Sequence, residues 1–390
     1  MDSNEFEGLV ALLAVMNRDG LEGLVALLAV VLVVGVLVAI LIRYGAKQAK
    51  LQQAIWEEAA RRVGGTYFPI GGPWYNRKPA YIQAQIDGIP LTLDSYVVSN
   101  GKSSTTYTRV RAAAPNAERV ELDLGKEGFF SSVAKSLGAQ DIEVGDELFD
   151  KTFVVKSNDG ELAKAWLHEE ARALLQAATS YSYSLRKGEL KAVRVGYDAN
   201  LESLEAVMRA SAALASGGLR IAQRWQQLAT SLGGSLLPSK NAANDYLPSI
   251  EFELRGVHIT LSAPREFSGW IFQSAQLYTQ LTARLLGERQ PFALHMGEAP
   301  KQAETLPEAT PDRSLGVHYR LRSADAERTN AELSGAVAAR LLRGLPELVY
   351  GDDKQVHAVC RGLVTNAERL SSVVEALVEF CVANHAGPYR

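Results

Sequence analysis

The stretch "WEEAARRVGGTYFP", beginning at Trp56, returns as "WQQLATSLGGSLLP" at Trp225, with the tryptophan, the Gly-Gly pair and the proline in the same places. Three more pairs follow in the same order: "IQAQIDGIPLTL" from Ile82 with "IEFELRGVHITL" from Ile250, "FVVKSNDGELAKAWL" from Phe153 with "YRLRSADAERTNAEL" from Tyr319, and "NLESLEAVMRASAAL" from Asn200 with "NAERLSSVVEALVEF" from Asn366. The offsets are 169, 168, 166 and 166 residues. A near-constant offset over four blocks marks a duplicated unit of about 165 residues. Whatever one copy folds into, the other must fold into as well.

Within a copy the order of elements is legible. Gln52 to Val63 reads as a short amphipathic helix stopped by Gly64–Gly65, where a glycine can take the left-handed cap conformation. Ile82, Ala84 and Ile86, then Ile89, Leu91 and Leu93, alternate on either side of Asp87–Gly88, the signature of a hairpin with a type I′ turn. Arg255–Gly256 separates the matching strands of the second copy. "SSTTYTRVRAA" and "QSAQLYTQLTARLL" agree less well, so the middle of the unit is expected as strand in one copy and partly helical in the other. "KTFVVK" reads as a strand, and Asn158 with Glu161 as a capping box opening a helix that carries Leu162, Trp166, Leu167, Leu174 and Leu175. "LKAVRVGYD" is a further strand, and Asn200 caps a closing helix whose counterpart starts at Thr365 and Glu368. Helix, hairpin, strands, helix, strand, helix is the order of an α+β unit with mainly antiparallel pairing. The copies are expected as units 44–217 and 218–390, joined rigidly through the short "LASGG" at Leu214–Gly218, with a mobile insertion at 297–314 whose three prolines leave little to bury.

Ahead of the units, Gly23 to Ile42 runs without a charge for 20 residues, about 30 Å of helix and enough to cross a hydrocarbon core. The string EGLVALLAV in this stretch also occurs earlier, at Glu7–Val15, but that copy meets Asn17, Arg18 and Asp19 too soon to span. A cleaved signal peptide competes, yet the acidic start at Asp2, Glu5 and Glu7 and the long apolar centre favour a retained span at residues 23–43. Arg43, Lys47, Lys50, Arg61 and Arg62 follow the span and only Arg18 precedes it. This asymmetry places residues 1–22 outside and 44–390 in the cytoplasm of a single-pass protein of an inner or plasma membrane. With 41 basic and 44 acidic residues, the chain has no field to gather nucleic acid. Cys360 and Cys381 lack zinc-site spacing and read as buried thiols of a reducing compartment.

The motifs that invite chemistry each have a structural explanation. "NGKSS" at Asn100–Ser104 has Tyr96 where a phosphate loop needs glycine, so a turn suffices. His168–Glu169–Glu170 is followed by Arg172 where a zinc helix needs histidine. Gly233–Gly234–Ser235 belongs to the repeated cap and is no nucleophile elbow. His258, His295, His318 and His357 are separate strand residues, and the acidic groups Asp146/Glu147/Asp150 and Asp352/Asp353 read as turns. No catalytic, cofactor or metal-ligating residue is assigned on this reading.

The aromatic loop "GTYFPIGGPWYNRKPAY", Gly65 to Tyr81, has the best functional claim. Tyr67, Phe68, Trp74 and Tyr75 offer large contact areas at low entropy cost, with Arg77 and Lys78 beside them, which suits a protein partner or lipid headgroups. Covering the end of their own sheet, or the interface to the second copy, is the structural alternative. The matching segment "GSLLPSKNAANDYLPS" lacks most of these aromatics.

The run "IEVGDELFDKTFVVKSNDGELAKAWL", Ile142 to Leu167, has a Gly-Asp, a Phe-Asp pair and an "FVV" strand before a helix, and resembles uncharacterised bacterial membrane-anchored proteins of the DUF3137 type. The resemblance implies a bacterial, membrane-tethered cytoplasmic domain and names no catalytic residue; the second copy lacks the Phe-Asp pair. A membrane-tethered interaction or scaffold protein, bound to the bilayer through 23–43 and to a protein partner or to itself, is the expected function. An enzyme with its site in the cleft between the copies is the alternative.

Overall fold

The computed structural model describes residues 18–71, 79–118, 120–126, 141–238, 247–264, 278–285, 289–296, 303–364 and 366–383. Its first element is one helix of 45 residues, α1 (Arg18–Arg62), which contains both the expected span and the expected amphipathic helix. Val31 to Leu41 are exposed along it, while Trp56, Ala59 and Ala60 are buried. From Val31 onward the helix is long and apolar enough to cross a membrane. One continuous rod therefore carries a lipid-compatible half and a core-forming half.

The rod ends as the repeated glycines require. Gly64 has φ 68°, its N–H donates to Arg61 O, and Gly65 N–H donates to Ala60 O at 2.8 Å, the two bonds of a Schellman cap. Gly233 (φ 66°) and Gly234 repeat this against Thr230 O and Ala229 O.

Two antiparallel sheets follow, each with helices packed on one face. In the first, β1 (Thr66–Phe68), β2 (Tyr81–Ile86), β3 (Ile89–Ser99), β4 (Ser104–Ala113), β5 (Leu122–Gly125), β6 (Val154–Ser157), β7 (Ser182–Arg186) and β8 (Glu189–Val195) lie in the order β1-β2-β3-β4-β8-β7-β5-β6. The second contains β9 (Ser235–Leu237), β10 (Ser249–Leu254), β11 (Val257–Ser262), β12 (Tyr278–Arg284), β13 (Phe292–His295), β14 (Glu308–Ala309), β15 (Arg320–Ser323), β16 (Leu348–Gly351) and β17 (Gln355–Arg361). Its order, β9-β10-β11-β12-β17-β16-β13-β15-β14, repeats the first strand for strand and adds β14 at the edge. Asp87–Gly88 and Arg255–Gly256 have the positive φ pairs of type I′ turns, and so does Lys187–Gly188 between β7 and β8.

Four local expectations are corrected. The helix expected after β6 is two short ones, α2 (Glu147–Thr152) having preceded that strand: α3 (Gly160–Trp166) and α4 (Glu169–Ala177). Asp159, not Asn158, caps α3 by accepting from Leu162 N, whereas Asn158 accepts from Glu121 N across the sheet. The described part of "QSAQLYTQLTARLL" is strand β12, so the middle of both units is strand there; residues 271–277 lie outside the described residues. The 297–314 insertion is docked over its described part, 303–314, where Ala303 is fully buried and β14 pairs with β15.

The closing helices are α5 (Leu201–Ala215), capped by Asn200 as expected, and α9 (Ala367–Ala383), where Asn366 accepts from Arg369 N. Thr365, expected to open that cap, lies outside the described residues. Between these helices run α6 (Gly217–Ser231), α7 (Ala326–Glu332) and α8 (Gly335–Gly344). The junction from α5 to α6 is buried throughout: Trp166 donates from Nε1 to Leu214 O at 2.7 Å, and its ring covers Gly217 and Gly218. A Cβ at Gly218 would strike the carbonyl oxygen of Pro115 as well as Trp166. Gly218→Ala is expected to lower unfolding stability by about 1–3 kcal/mol through overpacking, measured by urea denaturation. Gly316→Ala, where the nearest neighbour is at 3.5 Å, is expected to change little.

Candidate functional site

The aromatic segment after α1 is positioned by the buried half of that helix. Trp56 donates from Nε1 to the Asp198 carbonyl at 2.9 Å and stacks on Tyr197 with ring centroids 5.1 Å apart. Asp198 is 1% exposed, and its carboxylate accepts from Tyr181 Oη (2.8 Å), Ser203 Oγ (2.6 Å), Asn200 N (3.0 Å) and Arg194 NH1 (2.8 Å). Its own N–H donates to Thr108 Oγ1 at 2.8 Å. The anchor helix, the central strands and α5 thus meet at one residue.

Strand period then sorts the candidate residues. Tyr67 pairs with Ile82 and packs half-buried against the core, and burial followed by the nearby Glu57 raises its phenol pKa. Phe68 pairs with Tyr81 and stacks on it at 4.7 Å, on the face without helices. Trp74, Tyr75, Arg77 and Lys78 lie outside the described residues. Only the base of the loop is therefore placed, and it divides between the two faces of the sheet.

The helix-free face continues this surface with residues that sequence reading passed over. Tyr96 and Tyr107 stack at 5.2 Å, and the Arg109 guanidinium lies 4.6 Å above the Tyr96 ring. Arg109 grips Asp94 with both Nε (3.0 Å) and NH2 (2.8 Å), and Arg111 NH2 adds a third contact at 3.0 Å. The hydrogen bonds to Asp94 raise the Arg109 pKa. Lower on the same face, Thr66, Gln83, Gln85, Thr92, Arg111 and Glu189 line an open groove of about 640 Å3. The signal was present as alternation in "YTRVR", in which Tyr107, Arg109 and Arg111 fall on every second position. What the arrangement offers is a rigid amphipathic surface, with aromatics towards one end and charges fixed by cross-strand pairs.

The other motifs resolve as structure. Asn100 Oδ1 accepts from Lys102 N (3.2 Å) and Ser103 N (2.8 Å), closing the β3–β4 turn. Asp146 caps α2, and the Asp150 carboxylate accepts from Val144 N (3.0 Å) and Gly145 N (3.1 Å), so the Gly-Asp and Phe-Asp pairs form a self-bonded turn. His168 caps α4 through Nδ1. His258 lies 3.6 Å from Glu251, while His357 stacks on Tyr350 in the same sheet. Among the described residues no three His, Cys, Asp or Glu side chains are grouped to hold a metal.

No family model and no curated protein sequence matches the chain. The crystal structure of the mycobacterial trehalose monomycolate transport factor A is similar at a TM-score of 0.32 and 9% identity, over 42% of this chain and 93% of that one. So loose a likeness transfers nothing to this chain.

His357 supplies a pH test of the second sheet. Its Nδ1 lies 2.9 Å from Thr282 Oγ1 and 3.1 Å from Gln280 Nε2, and burial lowers its pKa from 6.5 to about 4. The neutral ring is favoured in the fold, so its contribution is whole above pH 6.5 and lost as pH falls towards 4. The loss amounts to roughly 3 kcal/mol at 1.36 kcal/mol per pKa unit. His357→Gln is expected to flatten that acid limb of the stability–pH curve, as measured by denaturation at successive pH values.

Proposed function

We propose that the protein is a membrane-tethered interaction or scaffold protein, with residues 1–22 outside, the span at 23–43 and the two units in the cytoplasm. Its contact surface is the aromatic end of the first sheet: Phe68 on the placed strand, then Trp74, Tyr75, Arg77 and Lys78, with Tyr67 fixing the base. The carrying observation is the continuity of α1 from its exposed apolar half into the core at Trp56.

That continuity sets a height. From Gly65, packed on Ala84, to Trp56, bonded to Asp198, the helix rises about 13 Å. Alongside, the sheet goes from Ala112, joined through Leu91 to Ala84, up to Thr108, which accepts from Asp198 N; four residues make about 13 Å. Helix and strands therefore climb together. If helix and sheet keep this common course, the β3–β4 turn at Asn100–Ser103 lies about 18 Å further along the strands, roughly level with Arg43 and Tyr44 just below the apolar stretch at about 1.5 Å of rise per helical residue. Val97 and Val98 on this arm are exposed, and the Phe68–Tyr81 base of the aromatic loop faces the same way. Both headgroups and the cytoplasmic part of a membrane partner are within reach of this end.

The enzyme reading is kept as the second because a polar cleft between the units, about 280 Å3, is lined by side chains of both.

Two experiments test the first reading. The native thiols Cys360 and Cys381 are fully buried, so single engineered cysteines can be read without background. In intact cells Ser3→Cys is expected to react with a membrane-impermeant maleimide and Glu202→Cys only after lysis; the reverse result overturns the orientation. With Trp74→Ala/Tyr75→Ala in the full chain, a partner captured from detergent-solubilised membranes is expected to be lost at an unchanged denaturation midpoint. A stability loss of about 3–5 kcal/mol, that of a buried tryptophan, makes these residues core instead.

A further inference from the structure

The cleft between the units has an occupant-shaped polarity. Its floor is His168, 8% exposed, at the start of α4. Ala171 N donates to His168 Nδ1 at 3.1 Å, so Nδ1 holds a lone pair and the neutral ring carries its proton on Nε2. That Nε2 is buried and has no hydrogen-bond partner among the described residues. Buried donors are almost always satisfied, and the residue that carries this one lines a cleft. Burial, followed by the nearby Arg220 charge, lowers the His168 pKa, which keeps the ring neutral and donating.

Around the donor stand cations from both units. Lys164 comes from α3 and lies 3.3 Å from Glu161; Arg172 comes from α4 and is held in place by Asp146 (3.0 Å) and the Leu167 carbonyl (2.6 Å). From the other unit α6 supplies Arg224, which makes no ion pair with any described residue. Glu169 is the one carboxylate among the described lining residues. The free N–H groups at the start of α4 add to the same sign of potential.

We propose that this inter-unit cleft binds a phosphate-class oxyanion, with His168 Nε2–H donating to one oxygen and Arg224, Lys164 and Arg172 balancing its charge. The anion satisfies the buried donor, and it ties α6 of the second unit to α3 and α4 of the first. Inorganic phosphate and the phosphate of a lipid headgroup share this chemistry. The site stands apart from the scaffold reading, since it involves neither the anchor nor the 65–81 loop.

The test uses the full chain in a phosphate-free detergent such as dodecyl maltoside. Inorganic phosphate is expected to raise the thermal midpoint above that in chloride at equal ionic strength, and to bind in calorimetry. Arg224→Ala, at an exposed position, and His168→Asn, which keeps an acceptor for Ala171 N–H, are each expected to weaken phosphate at least tenfold. In the wild type, phosphate is expected to shift the His168 Nε2 resonance. Short-chain phosphatidic acid that displaces phosphate identifies a lipid source; failure to displace it identifies a soluble one, and both support the site. No phosphate effect beyond chloride overturns the proposal. So does an effect that persists at full strength in Arg224→Ala, whether or not His168→Asn folds.

Discussion

The bond from Trp56 to the Asp198 carbonyl decides how everything else is held. Trp56 is fully buried on a helix that is exposed and apolar some fifteen residues earlier, so the indole is where the anchor becomes part of a core. A buried indole N–H needs an acceptor. The acceptor is a backbone carbonyl whose residue is fixed by four donors to its carboxylate, one from each of Tyr181, Arg194, Asn200 and Ser203. Tethering by a flexible linker would leave the first unit free to turn. Tethering through this contact fixes its orientation relative to the helix.

The second unit keeps the geometry and drops the charge. Thr279 Oγ1 donates to Gly362 O at 2.8 Å and accepts from Val364 N at 2.9 Å, as Thr108 Oγ1 donates to Gly196 O and accepts from Asp198 N. Val364 thus stands where Asp198 stands in the first unit, and Trp225 donates instead to the Pro248 carbonyl at 2.7 Å. The threonine bridge between a central strand and the link to the closing helix is what the fold needs. The carboxylate hub belongs to the unit that bears the anchor.

Much of this was legible because the repeated residues answer backbone requirements. The Gly-Gly pairs are needed for the cap, with Gly65 and Gly234 pressed against the next strand, and the turn pairs at Asp87–Gly88 and Arg255–Gly256 need positive φ. Less legible was the break between α3 and α4, since "WLHEEA" has no glycine or proline and its cap is a histidine, a residue rarely read as one. The docking of 303–314 was hidden because β14 gains its place by pairing backbone, which leaves no hydrophobic period. At the aromatic surface, reading residues 65–81 as one loop concealed that Tyr67 and Phe68 are neighbours on a strand and so face opposite ways. The open-face partners Tyr96, Tyr107 and Arg109 become visible only once β3 and β4 are set in register.

The duplication also explains why the units are linked as they are. In the first unit the tryptophan-bearing helix is the lower part of α1; in the second it is α6, which starts two residues after α5 ends. The second unit therefore hangs from the closing helix of the first just as the first hangs from the membrane helix. Both supports are rigid, the upper through Trp56 and the lower through Trp166 over Gly217 and Gly218. The cleft at His168 lies beside the lower support, bounded by α4 on one side and α6 on the other, so a group bound there would act on the joint that sets how the two units stand.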